Sequence, residues 1–464
     1  MKPCLLWLRR DLRLSDHPAL LAAIARGGPV IPVFILDPET EATGAAHRWR
    51  LEASLRDLGP RLAERGAPLV LRRGPALDVL RALIAETGAD AVCWSRLYDP
   101  AARRRDEAVK AALKADGIAA RSHNGALLFE PWTVETGAGG FYRVYTPYWR
   151  AVSGRDVAEP QAAPARIPGP GKPPASLSLE QLDMAADMRR GAAALAAAHK
   201  VGEDAARDRM AAFLHDKVNA YAEMRDRLDR DGCSGMSDHL AVGEISARTL
   251  WHGAQAAHAR GGGAGTETYL KELVWREFAH HLIHHTPHIA TRNWREDWDA
   301  FPWRADNDDA ERWRRGLTGE PVIDAAMRQI YATGRMHNRA RMLVASHLCK
   351  HLMTDWRVGA AWFADVLTDW DPASNAMGWQ WAAGSGPDAA PFFRIFNPAT
   401  QAEKFDPRGA YRAHWLKGEG ARAFFDAAPK SWGLSPQQPF PKPVVNLKEG
   451  RERALAAYAA MRGA

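Results

Sequence analysis

The chain has 464 residues, of which 46% are hydrophobic and 25% are charged, and its formal net charge is +7. This length predicts roughly two or three domains, and the composition is typical of a soluble globular protein rather than of a disordered or membrane protein. No apolar run is long enough for a membrane span, and the first residues become charged too early for a signal peptide, so we expect a cytoplasmic protein.

The rarer residue types restrict the possible cofactors and partners. The cysteines Cys4, Cys93, Cys233 and Cys349 lie far apart without a CxxC spacing, which argues against a zinc ribbon or an iron–sulfur cluster and fits a reducing compartment. The net charge of +7 gives only a mild indication of a polyanionic partner. The 18 tryptophans lie mostly beyond residue 250 and favour stacking or redox chemistry, although a large core could also contain several of them.

Residues 1–131 alternate short apolar strands with amphipathic helices. The segments CLLWL, VIPVFIL, PLVLRR and AVCW are predicted strands, and HPALLAAIARGG and DPAARRRDEAVKAALKADG are predicted helices. This alternation predicts a Rossmann-like parallel α/β domain. Because no G-x-G-x-x-G follows the first strand, we do not expect a dinucleotide on this sheet.

Residues 132–200 are predicted to form a long interdomain linker. The segment EPQAAPARIPGPGKPPAS within it is rich in Ala, Pro and Gly and is typical of a surface connection. After about residue 179 helical patterns dominate, so residues 201–464 are predicted to form a large all-α domain. The predicted fold class is therefore α/β plus all-α.

The segment DGCSGMSDHL is small and rich in hydroxyl groups. Ser234, Gly235 and Ser237 are able to present backbone amides and hydroxyls to a phosphate. A turn followed by a helix N-cap would have the same composition, so the segment leaves both interpretations open.

A helix is predicted from Tyr269 to about His285. Glu272 and Arg276 are four residues apart with Trp275 on nearly the same side of the helix. This arrangement indicates either one wall of a functional site or a surface ion pair. The histidines of this helix also have i,i+4 spacings, but no HExxH arrangement or further acidic ligand completes a metal site. We therefore expect no metal.

Two later segments mix polar and apolar residues in ways that a core does not require. Asn338, Arg341 and Met342 share one helical face in GRMHNRARMLVASHL, which indicates the wall of a polar-edged cavity, although a lone Met is more often core. The segment DWDPASNAMGWQWAAGSG crowds acids, an asparagine and Trp379 and Trp381 into a short stretch. A planar ligand with polar edges would account for this combination.

Together these segments resemble the photolyase/cryptochrome family over nearly the whole chain. The motifs that the chain shares with it, in order, are WLRRDLRLSDHPAL, YRVYTPYW, GEIS, ELVWREF, GEPVIDAAMRQ, MHNRARM, NAMGWQWAAGSGPDAAPFFRIFNP and EKFDP. The resemblance implies a helical domain that binds FAD in a folded conformation, beside a cavity that admits a damaged base pair. It also implies UV-damaged DNA as the partner of a monomeric enzyme.

The resemblance implies a set of flavin-binding residues. They are Tyr221, Cys233, Ser234, Gly235, Met236, Ser237, Tyr269, Arg341, Asp369, Asp371 and Asn375. Asp369 is expected to pair with Arg341, and Asp371 to meet the edge of the isoalloxazine. Where the family often has TSRLSP, this chain has Cys233 for Thr and Gly235 for Arg, so one hydroxyl and one charge near the flavin phosphates are missing.

The resemblance also implies an electron path and a repair function. Trp379, Trp356 and Trp303 match its inner, middle and outer members. Asn375 matches the residue beside flavin N5, which is Asn in photolyases and usually Asp or Cys in cryptochromes. The chain therefore resembles a repair enzyme more than a photoreceptor.

The implied contacts to damaged DNA are Arg225, Glu272, Trp275, Arg276, Asn338, Arg339, Met342, Trp381 and Gln401. Enzymes of the family that act on (6-4) photoproducts have histidines at the positions of Asn338 and Met342. Because neither residue donates a proton near neutral pH, the resemblance implies repair of cyclobutane pyrimidine dimers.

Two other functions and one cofactor remain open. A cryptochrome-type photoreceptor and a nucleotide-binding electron-transfer flavoprotein are the alternatives, and the Asn375 and GWQW signals disfavour them. A second, antenna chromophore, either a folate or a deazaflavin, is possible but unassigned. Ala101 and Ala102 replace the Asn–Glu pair that is associated with one folate site, which argues against that binding mode.

Overall fold

The structure is a computed structural model that describes residues 1–388 and 393–463. Residues 389–392, within the longest of the shared motifs, lie outside the described residues. The N-terminal part forms a five-stranded parallel sheet in the order β3-β2-β1-β4-β5. The strands are β1 Cys4–Leu8, β2 Val30–Leu36, β3 Val70–Arg73, β4 Ala91–Ser95 and β5 Ala119–His123.

The strands form where apolar residues run without interruption. Every residue of β1, β2 and β4 is buried, because helices cover both faces of the sheet. The predicted strand PLVLRR is shorter than expected, since β3 begins only at Val70. Strand β5 was not predicted, because AARSH lies at the sheet edge and has only one buried residue, Ala120.

The remaining secondary structure is helical, and after residue 179 the described chain contains only one isolated bridge, between Arg304 and Thr354. The helices are α1 Pro18–Ile24, α2 Pro38–Glu41, α3 Ala45–Glu64, α4 Ala76–Thr87, α5 Pro100–Ala115, α6 Tyr145–Val152, α7 Leu179–Leu182, α8 Ala192–Ala198, α9 Glu203–Asp216, α10 Tyr221–Met224, α11 Ser237–Val242, α12 Ala247–Ala257, α13 Gly263–His285, α14 Asp308–Arg314, α15 Pro321–Thr333, α16 Asn338–Ser346, α17 Trp356–Val366, α18 Pro372–Ala383, α19 Pro398–Phe405, α20 Ala410–Lys417, α21 Glu419–Ala427 and α22 Leu447–Gly463. No helix in the part of the chain that the structure describes is long and apolar enough to cross a bilayer.

The Pro-rich segment between α6 and α7 lies along the sheet domain. The Ile167 amide donates to the Arg65 carbonyl oxygen at 2.8 Å, and the Leu177 amide donates to that of Leu71 at 2.9 Å. Ile167 is buried in the same core cluster as strand β1. Backbone hydrogen bonds and the buried Ile167 therefore hold the segment against the sheet domain.

A buried ion pair joins the sheet domain to the helical region. Arg50 of α3 contacts the Glu244 carboxylate, and both side chains are 0% exposed. Glu244 also accepts hydrogen bonds from Ser54 Oγ at 2.7 Å and from the Gly202 amide at 2.8 Å. A buried charge without a partner would lower the stability of the fold. This pair therefore fixes the position of α3 against the loop before α12.

Replacing Arg50 with Leu should lower the free energy of unfolding by about 3–5 kcal/mol, because the Glu244 carboxylate would stay buried without its cation. Arg56→Leu on the same helix is the matched control, since Arg56 is 54% exposed and its ion pairs contribute about 0–1 kcal/mol. Urea unfolding of both variants measures the difference. Equal stability of the two variants would contradict the importance of the buried pair.

Candidate active site

Helix α18 begins and ends at residues suited to those positions. Asp371 is the N-cap and accepts a hydrogen bond from the Ser374 amide at 2.7 Å, and Pro372 lies in the first turn. Gly384 ends the helix with a φ of 95°, a conformation that glycine adopts without strain. These caps fix the bounds of the helix that contains the two predicted tryptophans.

Trp379 and Trp381 point in different directions from α18, as their spacing of about 200° predicts. Trp379 is buried and packs against Gly359 of α17, where a Cβ atom would overlap the indole ring. Trp381 is half-buried, and its ring lies 6.4 Å from that of Phe396. Both tryptophans line the same cavity.

Gln380, between the two tryptophans, fixes the rotation of α18. Its side chain is fully buried and makes four hydrogen bonds within the described chain. Nε2 donates to the carbonyl oxygens of Ile289 and Arg292 at 2.7 and 2.6 Å. Oε1 accepts from the Trp294 amide and from Ser385 Oγ. The role of Gln380 was not predicted from the sequence, although an amide between two tryptophans was a usable signal.

A cavity of about 1100 Å³ lies among the helices. It exceeds the ~300–1,000 Å³ of most small-molecule sites, so it has room for a dinucleotide and part of a second ligand. Most of the predicted site residues line it: Tyr221, Arg225, Cys233, Ser234, Gly235, Met236, Ser237, Tyr269, Glu272, Trp275, Arg276, Asn338, Arg341, Met342, Asp369, Asp371, Asn375, Trp379 and Trp381.

The other predicted residues, Trp303, Trp356, Arg339 and Gln401, lie outside the cavity lining. The Arg339 guanidinium lies 4.5 Å from the centre of the Phe405 ring on α19, the helix that also contains Gln401. These two residues therefore meet at α19 rather than at the cavity wall. Any contact that they make with DNA must be outside the cavity.

Arg341 and Asp369 form an ion pair at one wall of the cavity. Their Nη2 and Oδ2 atoms are 2.7 Å apart, and Arg341 Nε also donates to the Met336 carbonyl oxygen at 2.9 Å. The Asp369 side chain is only 3% exposed, and its Oδ1 has no hydrogen-bond partner in the described chain. The pair that the family resemblance implies is present, and one oxygen of the carboxylate remains unsatisfied.

Asp371 faces His280 of α13 across the cavity wall. His280 Nε2 lies 3.1 Å from Asp371 Oδ2. Burial raises the pKa of the Asp371 carboxyl, but His280 and Arg276 lower it more, so the net pKa is well below its usual range. Among residues 1–388 and 393–463, no group of three or more His, Cys, Asp or Glu side chains could hold a metal ion.

The interpretation of Glu272 and Arg276 as a surface ion pair is wrong. Glu272 pairs with Arg225 of the segment after α10, at 2.5 Å. Arg276 instead donates to the Ala126 carbonyl oxygen at 2.9 Å and contacts Glu277 at 3.3 Å. A pair within one helix was the simplest expectation, but a cation from another segment competes for the same carboxylate.

Trp275 is held against a second aromatic ring. Its ring stacks on Tyr145 with a centroid distance of 3.7 Å and an interplanar angle of 7°. The Tyr145 hydroxyl donates to the Lys271 carbonyl oxygen at 2.7 Å, so both rings are held by α13. The cavity therefore has a flat and rigid aromatic wall on this side.

The loop before α11 contains a turn at Gly235, and Met236, the N-cap residue of the helix, makes no side-chain capping hydrogen bond. Gly235 has a φ of 63°, and the Ser234 hydroxyl accepts a weak hydrogen bond from the Met236 amide at 3.5 Å. Cys233 lies 3.3 Å from His337 Nε2, and burial raises the pKa of its thiol to about 11. The thiol is therefore protonated near neutral pH.

The three predicted electron-path tryptophans differ in burial, since Trp379 and Trp356 are buried and Trp303 is half-buried. Trp379 lines the cavity and lies 4.9 Å from Phe363 of α17, between ring centroids. Trp356 begins α17, is buried, and donates through Nε1 to Asn293 at 2.9 Å. Trp303 is half-buried, and its neighbour Arg304 pairs with the segment directly before Trp356.

Further residues of the cavity lining were not predicted from the sequence. They include Asp231, Asp238, Arg335, Met336, His337, Phe363, Trp370, Ser374, Tyr411, His414 and Trp415. Arg335 and His337 lie within or directly before the MHNRARM motif and could have been found there. Tyr411, His414 and Trp415 belong to α20, where no motif marked them.

The unsatisfied polar atoms of the lining fit a ligand with several hydrogen-bonding groups. Asp369 Oδ1, Arg335 Nη2 and Trp370 Nε1 are buried and have no hydrogen-bond partner in the described chain. The Asp369 oxygen is an acceptor and suits the amide edge of a flavin dinucleotide. The Arg335 N–H is a charged donor and suits its phosphates, and the Trp370 N–H is a neutral donor and suits its hydroxyls. The residues present therefore fit FAD.

Comparisons with known proteins agree with this geometry. Residues 4–166 match the model of DNA photolyase, and residues 269–460 match the FAD binding domain of DNA photolyase. A deoxyribodipyrimidine photo-lyase of Agrobacterium fabrum is 44% identical, over 99% of this chain and 98% of that protein. Cryptochrome-1 of Arabidopsis thaliana is 34% identical, over 98% of this chain and 70% of that protein. The crystal structure of a bacterial class III photolyase from Agrobacterium tumefaciens superposes with a TM-score of 0.92 at 43% identity, over 100% of this chain and 98% of that one.

Replacing Arg341 with Met should destabilise the flavin-free protein by about 3 kcal/mol, because Asp369 would be left buried and charged. The second change Asp369→Asn in the same protein should recover much of this loss, since it removes the unpaired charge. Arg357→Met is the control, because the Arg357–Asp355 pair is partly exposed and contributes about 0–1 kcal/mol. Chemical denaturation compares all of them, and a double variant no more stable than Arg341→Met would contradict the electrostatic explanation.

Proposed function

Because this chain belongs to the DNA photolyase family, we propose that it repairs cyclobutane pyrimidine dimers in DNA in a light-driven reaction. The proposed activity is that of a deoxyribodipyrimidine photo-lyase, a carbon–carbon lyase. When bound and reduced, FAD supplies an electron to the flipped-out dimer under light and takes it back after the two cyclobutane bonds break. The observation that carries the proposal is one cavity that contains both the predicted flavin residues and the predicted lesion residues.

The chain's own residues hold and orient the flavin in this proposal. Arg341 and Asp369 form a fixed charged pair whose free carboxylate oxygen accepts from a ring or ribose donor. Asn375 lies on α18 with its amide oriented by a hydrogen bond to the Ala360 carbonyl oxygen at 3.2 Å. The remaining predicted flavin contacts are Tyr221, Cys233, Ser234, Gly235, Met236, Ser237, Tyr269 and Asp371.

Aromatic and neutral side chains form the lesion side of the cavity. Trp381 and the Trp275–Tyr145 stack offer flat surfaces for flipped bases. Asn338 and Met342 are one helical turn apart on α16, so both face the same dinucleotide. Met342 offers a soft apolar contact to thymine methyl groups, and Asn338 offers an amide to the polar base edges.

The protonation state of His337, one of two histidines in the described cavity lining, supports the choice of lesion. His337 lines the cavity and caps α16, where its Nδ1 accepts from the Arg339 amide at 3.1 Å. Burial lowers the pKa of His337 to about 4, so the imidazole is neutral near pH 7. A neutral ring with one nitrogen engaged in the cap does not supply the proton that (6-4) chemistry needs.

The two arginines that are proposed to contact DNA each form an ion pair within the protein. Arg225 pairs with Glu272 at 2.5 Å, and Arg339 pairs with Asp226 at 2.6 Å. These carboxylates hold each guanidinium in place and leave some of its N–H groups for phosphate oxygens. We propose that Arg225, Arg339 and Gln401 position the strand, with Glu272 and Arg276 at the lesion edge.

We also propose that the enzyme acts as a cytoplasmic monomer. All four cysteines, Cys4, Cys93, Cys233 and Cys349, are free thiols, as expected in a reducing compartment. The flavin residues, the lesion residues and the tryptophan path all belong to one chain, so the proposed chemistry needs no second copy.

Oligonucleotides that contain one defined lesion each test the proposal. The flavin-loaded, reduced protein should convert cyclobutane dimers to the parent bases under blue light and leave them unchanged in darkness. It should leave (6-4) photoproducts intact under both conditions. Repair of the (6-4) lesion, or no repair of the cyclobutane dimer with fully reduced flavin, would contradict the proposal, and the second outcome would favour a photoreceptor.

Replacing Trp303 with Phe should slow light-driven reduction of the oxidised flavin by an external donor at least tenfold, because the outer redox-active ring is lost. Repair by chemically pre-reduced protein should persist, since Trp303 lies outside the cavity. Trp432→Phe is the control, because Trp432 packs against Tyr331 and Trp362 away from the path. Equal loss of photoreduction and repair in Trp303→Phe would show that Trp303 has a structural role only.

A further inference from the structure

Position 235 is occupied by glycine for two reasons. Its φ of 63° is unfavourable for residues with a side chain, and a Cβ atom there would overlap the guanidinium of Arg209. Arg209 belongs to α9, whereas Gly235 belongs to the loop that lines the cavity before α11. The space that a side chain at position 235 would fill is therefore taken by a cation from another element.

Arg209 lacks a close anionic partner. Within residues 1–388 and 393–463 it forms no ion pair closer than 4 Å and no hydrogen bond. Burial lowers the pKa of Arg209, Arg335 lowers it further, and the more distant carboxylates of Asp238 and Asp231 raise it. An anion that approaches such a half-buried guanidinium stabilises it through charge-assisted hydrogen bonds.

Arg335 adds a second incompletely satisfied cation at the same place. Its Nε contacts Asp238, and its Nη1 donates to the Ala198 carbonyl oxygen at 2.9 Å. Its Nη2 is buried without a hydrogen-bond partner in the described chain. Asp238 is already shared with Thr368, which donates to it at 2.9 Å, and with His199 at 3.4 Å. Two cations, Arg209 and Arg335, therefore lie beside the Ser234–Ser237 loop, and Arg335 has one N–H group without a partner in the described chain.

We propose that Arg209 and Arg335 together bind the diphosphate of FAD, and that Arg209 supplies from α9 the charge that the loop lacks at Gly235. This inference rests on the proposed function, because it requires FAD in the cavity. Guanidinium groups bind phosphate oxygens in a bidentate manner, and two of them match the two phosphates of the dinucleotide. The loss of Arg from the loop is then compensated rather than harmful.

Binding of FAD to the flavin-free protein at two salt concentrations tests the proposal. Arg209→Gln should raise the Kd for FAD about tenfold and reduce its salt dependence, whereas Arg209→Lys should lose less affinity because it keeps the charge. Arg207→Gln is the matched control on α9, since Arg207 contacts Ser15 and Glu203 instead. Fluorescence quenching gives the Kd, and thermal unfolding checks that each variant is folded.

A Kd for Arg209→Gln equal to that of the wild type would overturn the inference and leave the proposed function intact. Equal weakening by Gln and Lys with unchanged salt dependence would also overturn it, because Arg209 would then act by packing. A wild-type protein that binds no FAD at all would refute the proposed function itself. Gly235→Ala adds an independent check, since its Cβ should weaken FAD binding more with Arg209 present than with Gln at position 209.

Discussion

The rotation of helix α18 about its axis is the constraint on which the cavity depends. Gln380 is buried and fixes this rotation through hydrogen bonds to Ile289, Arg292, Trp294 and Ser385. With Gln380 in place, Trp379 packs against Gly359 of α17, and the Trp381 ring lies near that of Phe396. A buried amide with all of its groups satisfied permits one orientation and penalises others, because any rotation would leave donors and acceptors unpaired. In the proposed function, one helix thus presents Trp379 to the electron path and Trp381 to the lesion.

The walls of the cavity are built from charges that are paired across different elements. Arg341–Asp369, Arg225–Glu272 and Arg335–Asp238 each join residues distant in sequence. Burying such charges is costly, and each pair reduces that cost without satisfying every donor and acceptor. Two atoms of these pairs, Asp369 Oδ1 and Arg335 Nη2, remain without a hydrogen-bond partner in the described chain, and both residues line the cavity. The pairs that stabilise the walls therefore also present polar groups to a ligand.

The sequence predicted those parts of the structure that follow from local patterns. The apolar runs predicted β1 and β2 to the residue, and the motif resemblance brought together most of the cavity lining. Strand β5 was not predicted, because its stability comes from pairing with β4 rather than from its own composition. Two contacts were not predicted: the ion pair of Glu272 with Arg225 and the position of Arg209 beside Gly235. Both depend on contacts between distant segments. Local sequence patterns do not show which distant cation will lie beside a given residue in the folded chain.

The most direct measurement of the central claim compares Trp379→Phe with Trp381→Phe, two residues apart on the same helix. Each flavin-loaded variant is assayed for photoreduction by an external donor and, after chemical reduction, for binding and repair of a cyclobutane dimer. If α18 separates the two functions, Trp379→Phe loses photoreduction and keeps repair, whereas Trp381→Phe keeps photoreduction and binds the dimer more weakly. Loss of the same activity in both variants, with the flavin still bound, would contradict this account.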